Sequence, residues 1–170
     1  MLSYISQYGI ARVKAAVVLD GSPKTMGDQL KGKWVWIDRK DTGKIRQSIT
    51  LQVLKNRDRF FEGFAKWMLE NPTESKLKKI CDIAYETPAY VAALTNETAS
   101  YADYEKTLIS FAKKRPFYVY ARNEWEKAVE AWVKKNAPTA RFSHMGRHLM
   151  FWENHAKFNQ QFDSFLNSLD

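Results

Sequence analysis

Cysteine is nearly absent. Cys81 is the single thiol in 170 residues, which excludes an internal disulfide and a zinc site built from cysteines. Long apolar runs are missing too: the run from Ala15 to Leu19 stops at Asp20, far short of the roughly 20 residues that cross a bilayer. Met1-Leu2-Ser3-Tyr4 carries neither the basic stretch nor the apolar core of a signal peptide. There is no internal repeat and no low-complexity segment. These absences predict a soluble, reduced, cytoplasmic protein without membrane association.

Apolar residues make up 45% of the chain and charged ones 27%, enough for one packed domain of ordinary size. Aromatics are abundant at 14%, and so many rings predict a filled core with some left to line a cavity. The net charge is +8, which raises the question of an anionic partner. The basic residues are dispersed among acidic ones, as in Lys76-Leu77-Lys78-Lys79 near Asp82. No recognition-helix, zinc or ribonucleoprotein pattern accompanies them, so no nucleic-acid partner is expected.

Along the chain, Leu2, Ile5, Tyr8 and Ile10 read as the end of an amphipathic helix stopped at Gly9. Val13 to Asp20 is an apolar, β-branched run before the turn Gly21-Ser22-Pro23, the pattern of a buried strand covered on two sides. From about Gly27 to Arg115 the periodicity is helical, with Trp34-Val35-Trp36-Ile37 the one strand-like stretch. Ile49 to Met68 reads as a long helix with a possible break, Thr73 caps another, Pro88 opens a short one, and Ser100 caps the next. Phe117-Tyr118-Val119-Tyr120 returns to strand. Asn123 and Glu126 have capping-box spacing before the apolar face of Trp125, Ala128, Val129, Trp132 and Val133. Ala140 to Met145 is a short strand, and a last helix from about Glu153 buries Phe158, Phe162, Phe165, Leu166 and Leu169. The order is strand, helical insert, strand, helix, strand, helix: an α/β layout with an insertion.

The final third resembles the C-terminal end of the α/β-hydrolase family. Gly146-Arg147-His148 follows a strand, Glu153 lies five positions after the histidine, and the final helix carries Phe158-Asn159. At the front, Ser3 to Val13 resembles the helix after the nucleophile elbow, and Val17 to Pro23 the sixth strand and its exit. The resemblance implies about three parallel strands with flanking helices. Residues 1–26 and 116–170 would be a partial core, and residues 27–115 a helical lid. It also implies an esterase-like hydrolase of small apolar substrates that needs no metal or cofactor. The Gly-x-Ser-x-Gly elbow, which the family would place about ten residues before Met1, occurs nowhere in these residues. Nor do the first five strands or the oxyanion-hole loop. The expectation is therefore the lid and C-terminal portion of such an enzyme, inactive alone because the attacking group is missing. The competing expectation is a non-catalytic α/β module that binds a partner or ligand through the lid.

Within that resemblance His148 is the general base, since an imidazole can take up and return a proton near neutrality. Two acids compete to orient it. Glu124 aligns with the turn after the seventh strand, although a carboxylate in a first helical turn is favoured by the helix dipole anyway. Asp20 ends the sixth strand, although aspartate also suits a turn before glycine. Glu124 is ranked slightly ahead. Trp34, Trp36, Phe64 and Trp67 from the lid, with Phe151 and Trp152 after the histidine, are candidates to wall an apolar substrate pocket; ordinary packing explains any single one equally well. His144 and His155 read as structural. Without a neighbour in its sheet, the strand from Val13 to Leu19 would expose an apolar edge, so self-association through that edge is expected.

Overall fold

The computed structural model describes residues 1–30 and 32–169. Its centre is β4 (Phe117–Ala121), five residues that are all buried. Aromatic and β-branched side chains suit a pleated strand, and burial on both faces places it mid-sheet. β4 pairs in parallel with β1 (Ala16–Leu19) on one side and with β5 (Arg141–His144) on the other. Leu19 stands opposite Tyr120, and Ala121 opposite His144.

Alternate residues of β4 enter two separate apolar layers, as the two-residue period of a strand requires. Phe117, Val119 and Ala121 join Ile5, Leu108, Phe111, Val129 and Val133. These come from α1 (Leu2–Tyr8), α6 (Glu105–Ala112) and α7 (Glu126–Asn136). Tyr118 and Tyr120 instead meet Met145, Met150, Phe158 and Phe165, on the side of α8 (Met150–Glu153) and α9 (His155–Leu166). The result is a helix–sheet–helix sandwich.

Residues between β1 and β4 are mostly helical. β2 (Met26–Gly27) and β3 (Ile37–Asp38) form a two-residue parallel pair, so the strand-like stretch shortens to its last residue and one more. α2 (Thr42–Lys55) and α3 (Arg57–Met68) are separated at Asn56, so the long helical stretch is broken there. α2 packs on α5 (Ala89–Ser100), and α3 on α4 (Glu74–Glu86). No helix among the described residues is long and apolar enough to cross a membrane.

Four local expectations are corrected. Ser100 ends α5 rather than capping the next helix: its hydroxyl donates to the Asn96 carbonyl, while Asp103 accepts from the Glu105 N–H at 3.1 Å. The Asn123–Glu126 capping box does not form, because both side chains go to His144, Asn123 at 3.0 Å and Glu126 at 3.2 Å. The last helix, α9, starts close to where it is expected but leaves Leu166 exposed instead of buried. Finally, among the described residues β1 has β4 alone beside it. It is therefore the edge strand that a missing neighbour implies, with Leu19 exposed, rather than a fully buried one.

Candidate functional site

Parallel strands deliver the residues that follow them to one edge of the sheet, where α/β proteins gather their ligand-binding groups. Here that edge collects Asp20 after β1, Arg122 after β4, and the turn from Met145 to Leu149 after β5. Asp20 is fully buried, and its amide donates to the Tyr120 carbonyl at 2.8 Å. Its backbone has φ +47°, a left-handed conformation that aspartate tolerates better than most residues. Strain of this kind concentrates at functional sites.

The Asp20 carboxylate is fully engaged. Oδ1 accepts the backbone N–H of Arg122 at 2.9 Å. Oδ2 accepts both the Arg122 guanidinium and Nδ1 of His148, the latter at 2.8 Å. Burial pushes the carboxyl upward, but the hydrogen bonds from His148 and Arg122 outweigh it and hold Asp20 below its ordinary value. An ionised carboxylate accepts only, so Nδ1 of neutral His148 is assigned the proton and Nε2 the lone pair. The His148 side chain is 32% exposed, and among the described residues Nε2 makes no hydrogen bond.

The histidine loop is held from below. Gly146 sits at φ +49°, and a Cβ there would lie 2.6 Å from Nδ2 of Asn154, so glycine suits the turn on both conformation and space. The Gly146 carbonyl accepts the Asn123 N–H at 3.0 Å. Leu149 donates to the Met68 carbonyl at 3.2 Å. Glu153, with only 2% of its side chain exposed, accepts the N–H groups of Glu70 and Asn71 at 2.6 and 3.0 Å and the Lys76 ammonium at 2.7 Å. Burial raises the Glu153 carboxyl, yet these bonds leave it below its ordinary value.

Of the two candidate acids, the structure brings Asp20 to His148. Glu124 lies on a 3-10 turn, Asn123–Trp125, and pairs with Arg147 at 3.2 Å in an exposed position. Of the aromatic candidates, Trp36 and Trp67 have ring centres 6.4 and 6.0 Å from the imidazole, and Phe64 stacks on Trp67. Trp34 is buried elsewhere, edge-on against Trp132. Phe151 packs on Phe158, and Trp152 lies under the Lys79 ammonium; neither joins the ring group at His148.

Sequence reasoning passed over Arg122. It is 2% exposed, and its guanidinium carbon lies 4.7, 4.2 and 4.8 Å from the ring centres of Trp36, Trp67 and Trp125. The available signal was its position: a cation directly after five apolar strand residues, at the edge where strands end.

Three solved structures share this architecture. A bromoperoxidase from Bacillus anthracis superposes with a TM-score of 0.79 at 20% identity, over 98% of this chain and 62% of its own. An esterase from Exiguobacterium antarcticum gives 0.79 at 14% identity, again over 98% and 62%. The fold is an α/β-hydrolase fold. A hydrolase from Oleispira antarctica superposes with 0.68 at 15% identity, over 97% of this chain and 62% of its own. The chain thus spans about three-fifths of each of these hydrolase-fold structures. No protein-family model matches the chain, and no curated protein sequence matches it.

Proposed function

We propose that Asp20 and His148 are the acid and base of an esterase-like hydrolase of small apolar substrates, whose attacking group is supplied from outside these 170 residues. The observation that carries this reading is the 2.8 Å contact of Asp20 with Nδ1 of His148 at the carboxyl edge of a parallel sheet. With Nδ1 donating to the carboxylate, Nε2 can take a proton from an attacking hydroxyl. It can then return that proton to the departing alkoxide. Asp20 stays ionised and steadies the imidazolium formed between the two steps. Trp36, Trp67 and Phe64 favour an apolar acyl or alcohol group near the imidazole. Residues 27–115 would act as the lid over residues 1–26 and 116–170. No cofactor, nucleic acid or membrane enters the proposal, and a reduced, cytoplasmic setting suits a chain with one thiol.

Loss of a triad nucleophile costs roughly six orders of magnitude in turnover. The 170-residue chain alone is therefore expected to hydrolyse 4-nitrophenyl acetate no faster than its His148→Ala variant. Extended to include a Gly-x-Ser-x-Gly segment encoded in frame upstream, it should turn the ester over, and His148→Ala should abolish the gain. Equal rates for the extended protein with and without His148 would end the hydrolase reading and leave ligand binding at the same rings as its successor.

The free edge of β1 completes the proposal. Studied alone, the chain is expected to pair this edge with that of a second copy, since an unpaired apolar strand edge is a template for association. Light scattering at high concentration reads the outcome; a monomer contradicts it.

A further inference from the structure

We infer that Arg122 is a positioning residue for the Asp20–His148 pair, locking the imidazole tautomer by holding the shared carboxylate in its acceptor-only form. This rests on the reading of Asp20 and His148 as acid and base, and it assigns the buried cation a task within that site.

Three observations converge. The guanidinium and the imidazole meet at the same atom, Oδ2 of Asp20. Asp20 is completely buried and Arg122 nearly so, and a carboxyl removed from water tends to become neutral unless a cation faces it. The guanidinium is confined among three indole rings, two of which also flank His148. Its planar fork and the attraction of a cation to the indole faces both resist displacement.

The arrangement is hard to explain as a device for stability alone. A buried ion pair is often matched or bettered by apolar side chains of similar volume. What apolar residues cannot do is donate to Oδ2 beside the imidazole and so help the His148 bond keep Asp20 ionised. A neutral carboxyl could donate to Nδ1, move the imidazole proton to Nε2, and leave the exposed nitrogen without a lone pair. The neighbouring cations are committed elsewhere, Arg147 to Glu124 and Lys76 to Glu153.

Imidazole 15N spectra of the 170-residue chain test the assignment at about pH 8.5, where an ordinary imidazole is neutral. The wild-type His148 should show a protonated Nδ1 and an unprotonated Nε2. In Arg122→Met the two nitrogen shifts should converge as the tautomers mix, whereas Arg122→Lys, which keeps the charge, should retain the wild-type pattern. A fixed wild-type pattern persisting in Arg122→Met, with native near-ultraviolet circular dichroism, overturns the role of Arg122. Loss of the Nδ1–H form is also expected in Asp20→Asn. If Asp20→Asn leaves the spectrum unchanged, it is the underlying acid–base pair that fails. Should Arg122→Met not fold, the wild-type guanidinium protons decide. Slow exchange and ring-current shifts are expected for Arg122, and exchange as fast as that of exposed Arg59 overturns the inference.

Discussion

Asp20→Ala is expected to destabilise the fold by about 3–5 kcal/mol, because it strands a buried cation without its counter-ion. Arg122 is 2% exposed and would lose its carboxylate partner for both the guanidinium and the backbone N–H. The three indole rings cannot make up the loss, since they face the guanidinium equally before and after the substitution. Alanine also has to occupy φ +47° without the local hydrogen bonding that eases aspartate into that region. Asp20→Gly should therefore recover about 1 kcal/mol of the loss. His148→Ala removes a partly exposed ring and leaves the Asp20–Arg122 pair intact, so its cost should be only about 1 kcal/mol. Urea unfolding followed by tryptophan fluorescence gives the comparison. A loss for Asp20→Ala no larger than for His148→Ala would show that the pair is not sequestered from water. In an extended, active protein the same Asp20 substitution should lower turnover by about four orders of magnitude.

Glu153→Ala is the second large effect, at about 2–3 kcal/mol, because hydrogen bonds to a buried charge are among the stronger ones. Two backbone N–H groups and the Lys76 ammonium converge on this carboxylate. Lys76 keeps the Asn71 carbonyl at 2.9 Å, but neither backbone N–H has another acceptor in place. The pH dependence follows in sign. Glu153 and Asp20 are both held below their ordinary values. The stability each contributes is thus fully present above the unfolded carboxylate range, about 4. It is lost as the pH falls through the depressed folded values. Melting temperatures between about pH 3 and pH 7 should fall steeply at the acid end. Glu153→Gln should flatten that fall, and parallel curves for the two proteins would contradict the assignment.

The elements legible in the sequence were those whose signal is local. The five apolar residues of β4, the period of α7 and the glycine stop of α1 need no knowledge of what they pack against. His148 and Asp20 were legible as candidates because a turn after a strand marks them. The ranking of Glu124 slightly ahead of Asp20 is reversed by the geometry, since the choice depends on the parallel register that carries Asp20, 128 positions away in sequence, onto His148. Trp34 and Trp36 show the same limit. Two residues apart in a regular strand, they would share a face, but the backbone becomes a strand only at Ile37. Trp34 turns into the core, and Trp36 goes to the site. The capping box failed because His144, brought alongside by β5, competes for both of its side chains.

The bonds from Leu149 to Met68 and from Glu153 to Glu70 and Asn71 join the end of α3 to the histidine loop. Trp67, next to Met68, is thereby tied to the same framework that carries His148. The spacing between indole and imidazole is set by backbone bonds at both ends, so it depends little on how the side chains of α4 and α5 are packed.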